Sequence, residues 1–128
     1  MRLLLDTHAF LWFVIGDTRL SGKAQALIED ESNQRFFSVA SLWEIAIKVS
    51  IGRLTLSAPF DDIFPSQLVK NGIDLLGITI AHTSALTSLP YHHRDPFDRL
   101  LIAQAISEQM QIASVDGAFD AYPIFRLW

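Results

Sequence analysis

No cysteine occurs in the chain, which excludes disulfides, thiolate metal sites and thiol redox chemistry. No apolar run approaches the ~20 residues that cross a bilayer; the longest, residues 9–15, is far too short. The opening Met1-Arg2-Leu3-Leu4-Leu5 meets Asp6 at once, too brief a stretch for a secretory leader. A soluble cytoplasmic protein with no membrane partner is the expectation. No repeat, low-complexity stretch or linker interrupts the chain, and 128 residues suit one domain, residues 1–128. No glycine-rich loop comes after the first apolar run, which disfavours a nucleotide-binding fold. A phosphoacceptor receiver domain would need paired acids after the first strand and a lysine after the last; Asp6 stands alone, and no lysine occurs beyond residue 70.

A positive excess is also missing. The 14 Asp and Glu against 10 Lys and Arg give a net charge of −4, which argues weakly against a simple nucleic-acid-binding surface. Four of the acids change that reading. With Asp6, Glu44, Asp98 and Asp116 set aside, the remaining 10 acids equal the 10 basic residues. If those four hold cations, a polyanionic substrate is admissible.

What is present is apolar patterning. Half of the residues are hydrophobic, which fits a globular chain. Apolar runs alternate with helical patterns. Strands are predicted over 2–5, 35–39, within 73–79, over 111–115 and over 123–127. Helices are predicted over 7–15, 22–31 with Ser21 as cap, 40–50, 60–70 interrupted by Pro65, 80–88 and 96–110. Such alternation implies parallel pairing with right-handed crossovers, an α/β/α sandwich with a four- or five-stranded parallel sheet. Ligands in such folds sit beyond the carboxyl ends of the strands.

Each of the four acids has a plain structural reading beside a functional one. Asp6 ends Leu3-Leu4-Leu5 and is also placed to cap a helix. Asp116 comes after Ile112-Ala113-Ser114-Val115 and precedes Gly117, as a turn residue would. Glu44 lies in Ala40-Ser41-Leu42-Trp43-Glu44-Ile45-Ala46-Ile47-Lys48-Val49, a helix apolar nearly all round. Its one polar stripe is Ser41, Glu44 and Lys48. An exposed Glu44–Lys48 pair is worth only ~0.3–0.5 kcal/mol, which does not explain a carboxylate on a buried helix. Asp95 before Pro96 reads as a helix cap. Asp98, at the third helical position, borders the core-facing side with Leu101, Ile102 and Ala105, while Gln104, Ser107, Glu108 and Gln111 mark the wet side. Carboxylates gathered this closely repel one another, so a divalent cation is needed to hold them. An all-oxygen set suits Mg2+ or Mn2+. Two such ions ~3.5–4 Å apart would clamp a phosphodiester.

The chain resembles PIN-domain proteins, and more closely the VapC toxins of bacterial type II toxin–antitoxin pairs. The resemblance covers almost the whole chain. It rests on Leu3-Leu4-Leu5-Asp6-Thr7-His8, Ser41-Leu42-Trp43-Glu44-Ile45 with Lys48, Asp95-Pro96-Phe97-Asp98-Arg99-Leu100-Leu101-Ile102-Ala103-Gln104-Ala105, and Ser114-Val115-Asp116. It implies an α/β/α sandwich and Mg2+- or Mn2+-dependent endoribonuclease activity, often on tRNA or other structured RNA. The family's acidic positions fall on Asp6, Glu44, Asp98 and Asp116, the last often the least strict. Thr7 and Ser114 match the small hydroxyl positions, and Asp95 the extra acid of a subset.

On this reading Asp6 and Asp98 hold the first ion, Glu44 orients it or shares a second, and Asp116 positions water. Thr7 and Ser114 hydrogen-bond the carboxylates. Lys48 and Arg99 either touch phosphate or pair with the neighbouring acid. His92 and His93 lie in the loop before the Asp98 helix, where contact with substrate or solvent is favoured over metal ligation; His8 is open between packing and RNA contact. Residues 9–15 carry no polar side chain, which fits either packing on the core alone or Phe10, Trp12 or Phe13 meeting another chain; the resemblance favours a partner, a second copy or a VapB-like antitoxin. The competing function is a catalytically inactive PIN-like module that binds RNA or protein.

Overall fold

The computed structural model describes residues 1–128. Its centre is β1 (Arg2–Leu5), whose alternating side chains enter two cores. Leu3 and Leu5 join one apolar cluster and Leu4 the other, as the two-residue period of a strand requires. The other strands are β2 (Gln34–Ser38), β3 (Ile73–Leu76), β4 (Gln111–Ala113) and β5 (Arg126–Leu127). All pairings are parallel, in the order β3-β2-β1-β4-β5, which settles the strand count at five. Leu5 is in register with both Phe37 and Ala113. The three central strands therefore end level, and the segments leaving them emerge at one edge of the sheet.

On the Leu3/Leu5 face pack α1 (Thr7–Ile15), α2 (Gly22–Glu29), α4 (Phe60–Ile63) and α5 (Ser66–Lys70), joined by Ile45 of α3 (Val39–Ser50). On the Leu4 face lies α7 (Pro96–Glu108), with α6 (Ile80–Thr87) against it and a 3-10 turn over Gly117–Ala121. The three layers of the sandwich are thus present. No helix is long and apolar enough to cross a membrane.

Four expectations need correction. The helix expected over 60–70 is two helices, because Pro65 stands between them without an N–H to continue the ladder. Phe10 does not face a partner: it is fully buried, its ring 4.3 Å from Phe37 and 5.6 Å from Phe64. Trp12 and Phe13 remain partly exposed. The Glu44 helix is not buried all round, since Trp43, Val49 and Ile51 face solvent; its apolar circumference combines a core face with an exposed one. Gln104 is not on a wet side. It is fully buried, because α6 covers that face of α7.

Candidate metal centre

Asp6 is fixed first by its backbone. Its N–H donates to the Ala113 carbonyl at 3.1 Å, closing the edge between β1 and β4. Its side chain accepts from the Ala9 N–H at 2.7 Å and caps α1. The cap and the site readings are therefore both true of one residue. The next residue, Thr7, donates its hydroxyl to Glu44 Oε1 at 2.7 Å. Lys48 Nζ lies 2.7 Å from Glu44 Oε2 on the following turn. Glu44 is thus a buried carboxylate with both oxygens engaged, tied to the strand edge by one hydroxyl.

The α7 side is built by a second cap. Asp95 accepts from the Asp98 N–H at 3.0 Å, with Pro96 at the first helical position. This puts Asp98 in the first turn with its carboxylate half-buried beneath the loop. His93 Nε2 stands 3.0 Å from Asp98 Oδ2 and 3.6 Å from Asp116 Oδ2. The donor atoms of His93, Asp98 and Asp116 all lie within 4.8 Å of one another. Asp116 is the most open of the four acids: it caps the 3-10 turn through the Ala118 N–H at 2.9 Å and is itself exposed. Its own N–H donates to the buried Ser114 Oγ at 3.0 Å.

Electrostatics join the two halves. The Asp98 carboxyl is pushed up to about 7, first by burial and then by the charge of Asp95; His93 holds it down in part, and Glu44 and Asp6 raise it further. The Asp6 carboxyl is also raised, by burial above all, with Asp116 adding to it and the Ser114 hydroxyl, the Ala9 N–H and His8 opposing. Asp98 therefore feels the charges of Asp95, Glu44 and Asp6, and Asp6 that of Asp116. Lys48 is the sole ammonium or guanidinium group bonded to any of them. A divalent cation would relieve the repulsion, and oxygen donors of this kind suit Mg2+ or Mn2+. The residues present fit such an ion.

Other expected residues fall elsewhere. Arg99 does not pair with Asp98. It is buried, its guanidinium donating to the carbonyls of Leu89, Pro90 and His93 at 2.9–3.4 Å and lying 3.8 Å from the Tyr91 ring. Its role is to brace the loop ahead of α7. Lys48 forms the ion pair with Glu44. His92 is exposed against Tyr122, and His8 lies 5.6 Å from Trp12. One contributor had no signal in the sequence. The Tyr122 hydroxyl accepts from the His93 N–H at 2.8 Å and donates to Pro90 at 2.7 Å, a contact made across 29 residues.

The family model for the PIN domain matches residues 3–124, and the chain belongs to the PIN domain family. Over 62 residues, 48% of its length, it is 32% identical to Ribonuclease VapC16 of Mycobacterium tuberculosis; the matched stretch spans 44% of that protein. Among solved structures it is similar to VapBC2 from Rickettsia felis bound to a DNA fragment from their promoter. The TM-score is 0.72 at 13% identity, covering 99% of this chain and 98% of that one. It is also similar to FitAcB from Neisseria gonorrhoeae, with a TM-score of 0.65 at 16% identity over 98% of this chain and 96% of that one. At these identities the structural likeness concerns the fold.

Proposed function

We propose that the chain is a Mg2+- or Mn2+-dependent endoribonuclease, the toxin of a toxin–antitoxin pair, acting on tRNA or another structured RNA. The observation that carries this reading is the group of mutually repelling carboxylates at one strand edge, with Asp98 pushed up to about 7 by burial and by its acidic neighbours. Such a site is under-compensated without a cation. Its relatives by sequence and fold, a ribonuclease among them, support the choice of chemistry.

In this reading Asp6 and Asp98 hold the first ion, and Glu44 orients it or shares a second. The bound cation supplies charge to the phosphodiester and acidity to water. Thr7 keeps Glu44 in place by its 2.7 Å hydrogen bond. Ser114 does the same for Asp6 while accepting the Asp116 N–H. Asp116, exposed to solvent, positions the attacking water. Lys48 limits the negative charge on Glu44 until substrate arrives.

Two partner surfaces accompany it. An apolar groove of about 430 Å³ runs between α1 and residues 54–57, lined by Leu11, Trp12, Ile15, Leu54 and Leu56; we assign it to an antitoxin segment. The exposed Trp43 and Val49 on α3, with Ile51 just beyond its end, are assigned to a second copy.

The test is cleavage of tRNA and of total RNA by the purified chain, with Mg2+ or with excess chelator, beside Asp6→Asn. Cleavage that needs the cation and is lost in Asp6→Asn is expected. Cleavage that persists in chelator or in the variant overturns the mechanism.

A further inference from the structure

We propose that the loop ahead of α7 carries a nucleotide subsite, in which Tyr91 stacks an unpaired base of the RNA and Arg94 holds the adjoining phosphate. The inference rests on the nuclease reading above and says how the substrate is gripped. A groove of about 440 Å³ lies between α6 and the first turn of α7. Two arginines, Arg94 and Arg99, line it, and no acid does. In a chain of net charge −4 this is a local inversion of sign beside the acidic site, and it suits a polyanion.

Tyr91 is 78% exposed. Exposure alone says little, since single apolar side chains are common on surfaces. The support beneath the ring says more. The Arg99 guanidinium lies 3.8 Å from the ring centroid and covers one face. That guanidinium is itself buried and fixed by the carbonyls of Leu89, Pro90 and His93. Tyr122 pins the same loop through Pro90 and His93. Shielding Arg99 needs only the face turned to it. The other face is a flat, open surface on a braced loop. A ring fixed in advance avoids the ordering cost that a free side chain would carry on stacking a base.

Arg94 supplies the charge. It is exposed and enters no ion pair within the chain, whereas Arg99 is spent on the loop carbonyls. An aromatic face beside a free cation is the combination that grips single-stranded nucleic acid, by stacking that tolerates any base and by a salt-dependent phosphate contact. A base inside a duplex has no free face, so the subsite takes an unpaired nucleotide. Its position links it to the cation site. Pro96 lines the groove and Asp98 the acidic pocket; two residues apart, they stand about 200° from each other round the helix. The two sites therefore flank one turn. Arg94 and Asp98 are at most about 15 Å apart between Cα atoms, a span that a few nucleotides cover.

The experiment reads binding apart from cleavage. A labelled single-stranded RNA of about ten nucleotides, and the same sequence as a duplex, are titrated against the full chain in excess chelator by fluorescence anisotropy. The groove holds no acid, so binding there needs no cation. Tyr91→Ala should weaken single-strand binding about tenfold and leave duplex binding level, while Tyr91→Phe, which keeps the ring, stays within about twofold of the unaltered chain. Arg94→Gln should flatten the slope of log affinity against log salt by about 0.7, and Arg94→Lys should not. With Mg2+ present, Tyr91→Ala should raise KM for RNA by a similar factor with kcat kept. Equal losses in both Tyr91 variants, no loss in either, or a loss in kcat alone overturns the stacking role. An unmoved salt slope in Arg94→Gln overturns the phosphate contact. A groove that ignores RNA and takes a protein segment overturns both. Should the unaltered chain cut RNA while these variants bind and cut as it does, the subsite fails and the nuclease reading stands. A chain that cuts no RNA yet binds the single strand through Tyr91 fails the nuclease reading and keeps the subsite.

Discussion

The first turn of α7 carries Asp98 into a pocket of like charges, whereas its later turns carry Gln104 and Glu108 into a polar network with no comparable conflict. In that second cluster Ser38 Oγ donates to Gln104 Oε1 at 2.6 Å, and Gln104 Nε2 donates to the Gly77 carbonyl at 3.3 Å. His82 accepts the Thr79 N–H on Nδ1 at 3.1 Å, and its Nε2 lies 2.9 Å from Glu108 Oε1. Arg2 completes Glu108, whose carboxyl is held below its ordinary range chiefly by His82 and then by Arg2. Buried polar groups that satisfy one another hold a fold together; those left in conflict wait for something that is not protein.

That contrast can be broken by substitution. The largest effect is expected from Asp98→Asn: metal-dependent RNA cleavage falls by about a thousandfold or more, on the order of losing a principal charge-stabilising group. The metal-free melting temperature stays level or rises, because a repelling charge has gone. Gln104→Ala should do the reverse. It strands the Ser38 hydroxyl and the Gly77 carbonyl in the interior and costs about 2–3 kcal/mol. The melting temperature drops by roughly 6–12 °C, while kcat of the folded fraction stays near the unaltered value. Loss of stability in the first variant, or loss of kcat alone in the second, would reverse the assignment of the two clusters.

A smaller effect comes from pH. Asp98 has a folded-state pKa of about 7 against an ordinary 3.8, so the folded chain binds its proton more tightly than the unfolded chain does. Stability of the metal-free protein therefore falls as pH rises from about 4 to about 7, and the raised Asp6 acts in the same direction. Thermal melts across that range should show the decline. Mg2+ should restore several degrees at pH 8 and little at pH 5. The smallest effect is expected from Lys48→Gln. The lysine is more than a third exposed, so the stability change stays below about 1 kcal/mol in denaturant melts.

The sequence exposed the fold and the acids unevenly. Alternation of strand and helix was enough for the sandwich, and Asp6, Asp98 and Asp116 announced themselves by standing after an apolar run or in a helix's first turn. Asp6 and Asp95 kept the capping roles their positions suggest. What depended on packing between distant elements did not show. Gln104 reads as a wet-side residue until α6 lies over it, and Arg99 reads as a site cation until the loop carbonyls claim it. The apolar circumference of α3 resembles burial on all sides, yet Trp43 is 61% exposed. Glu44 was found partly through that misreading; its actual support is Thr7 on one oxygen and Lys48 on the other.

The central claim, that the acids form a cation site strained by its own charge, has a direct calorimetric test. Mn2+ or Mg2+ is titrated into the chain at pH 7 in buffers of different ionisation enthalpy. With Asp98 at about 7, binding should release about half a proton per site, and Asp98→Asn should abolish that release and weaken the affinity. Cation binding with no proton release, or with equal affinity in Asp98→Asn, would contradict it.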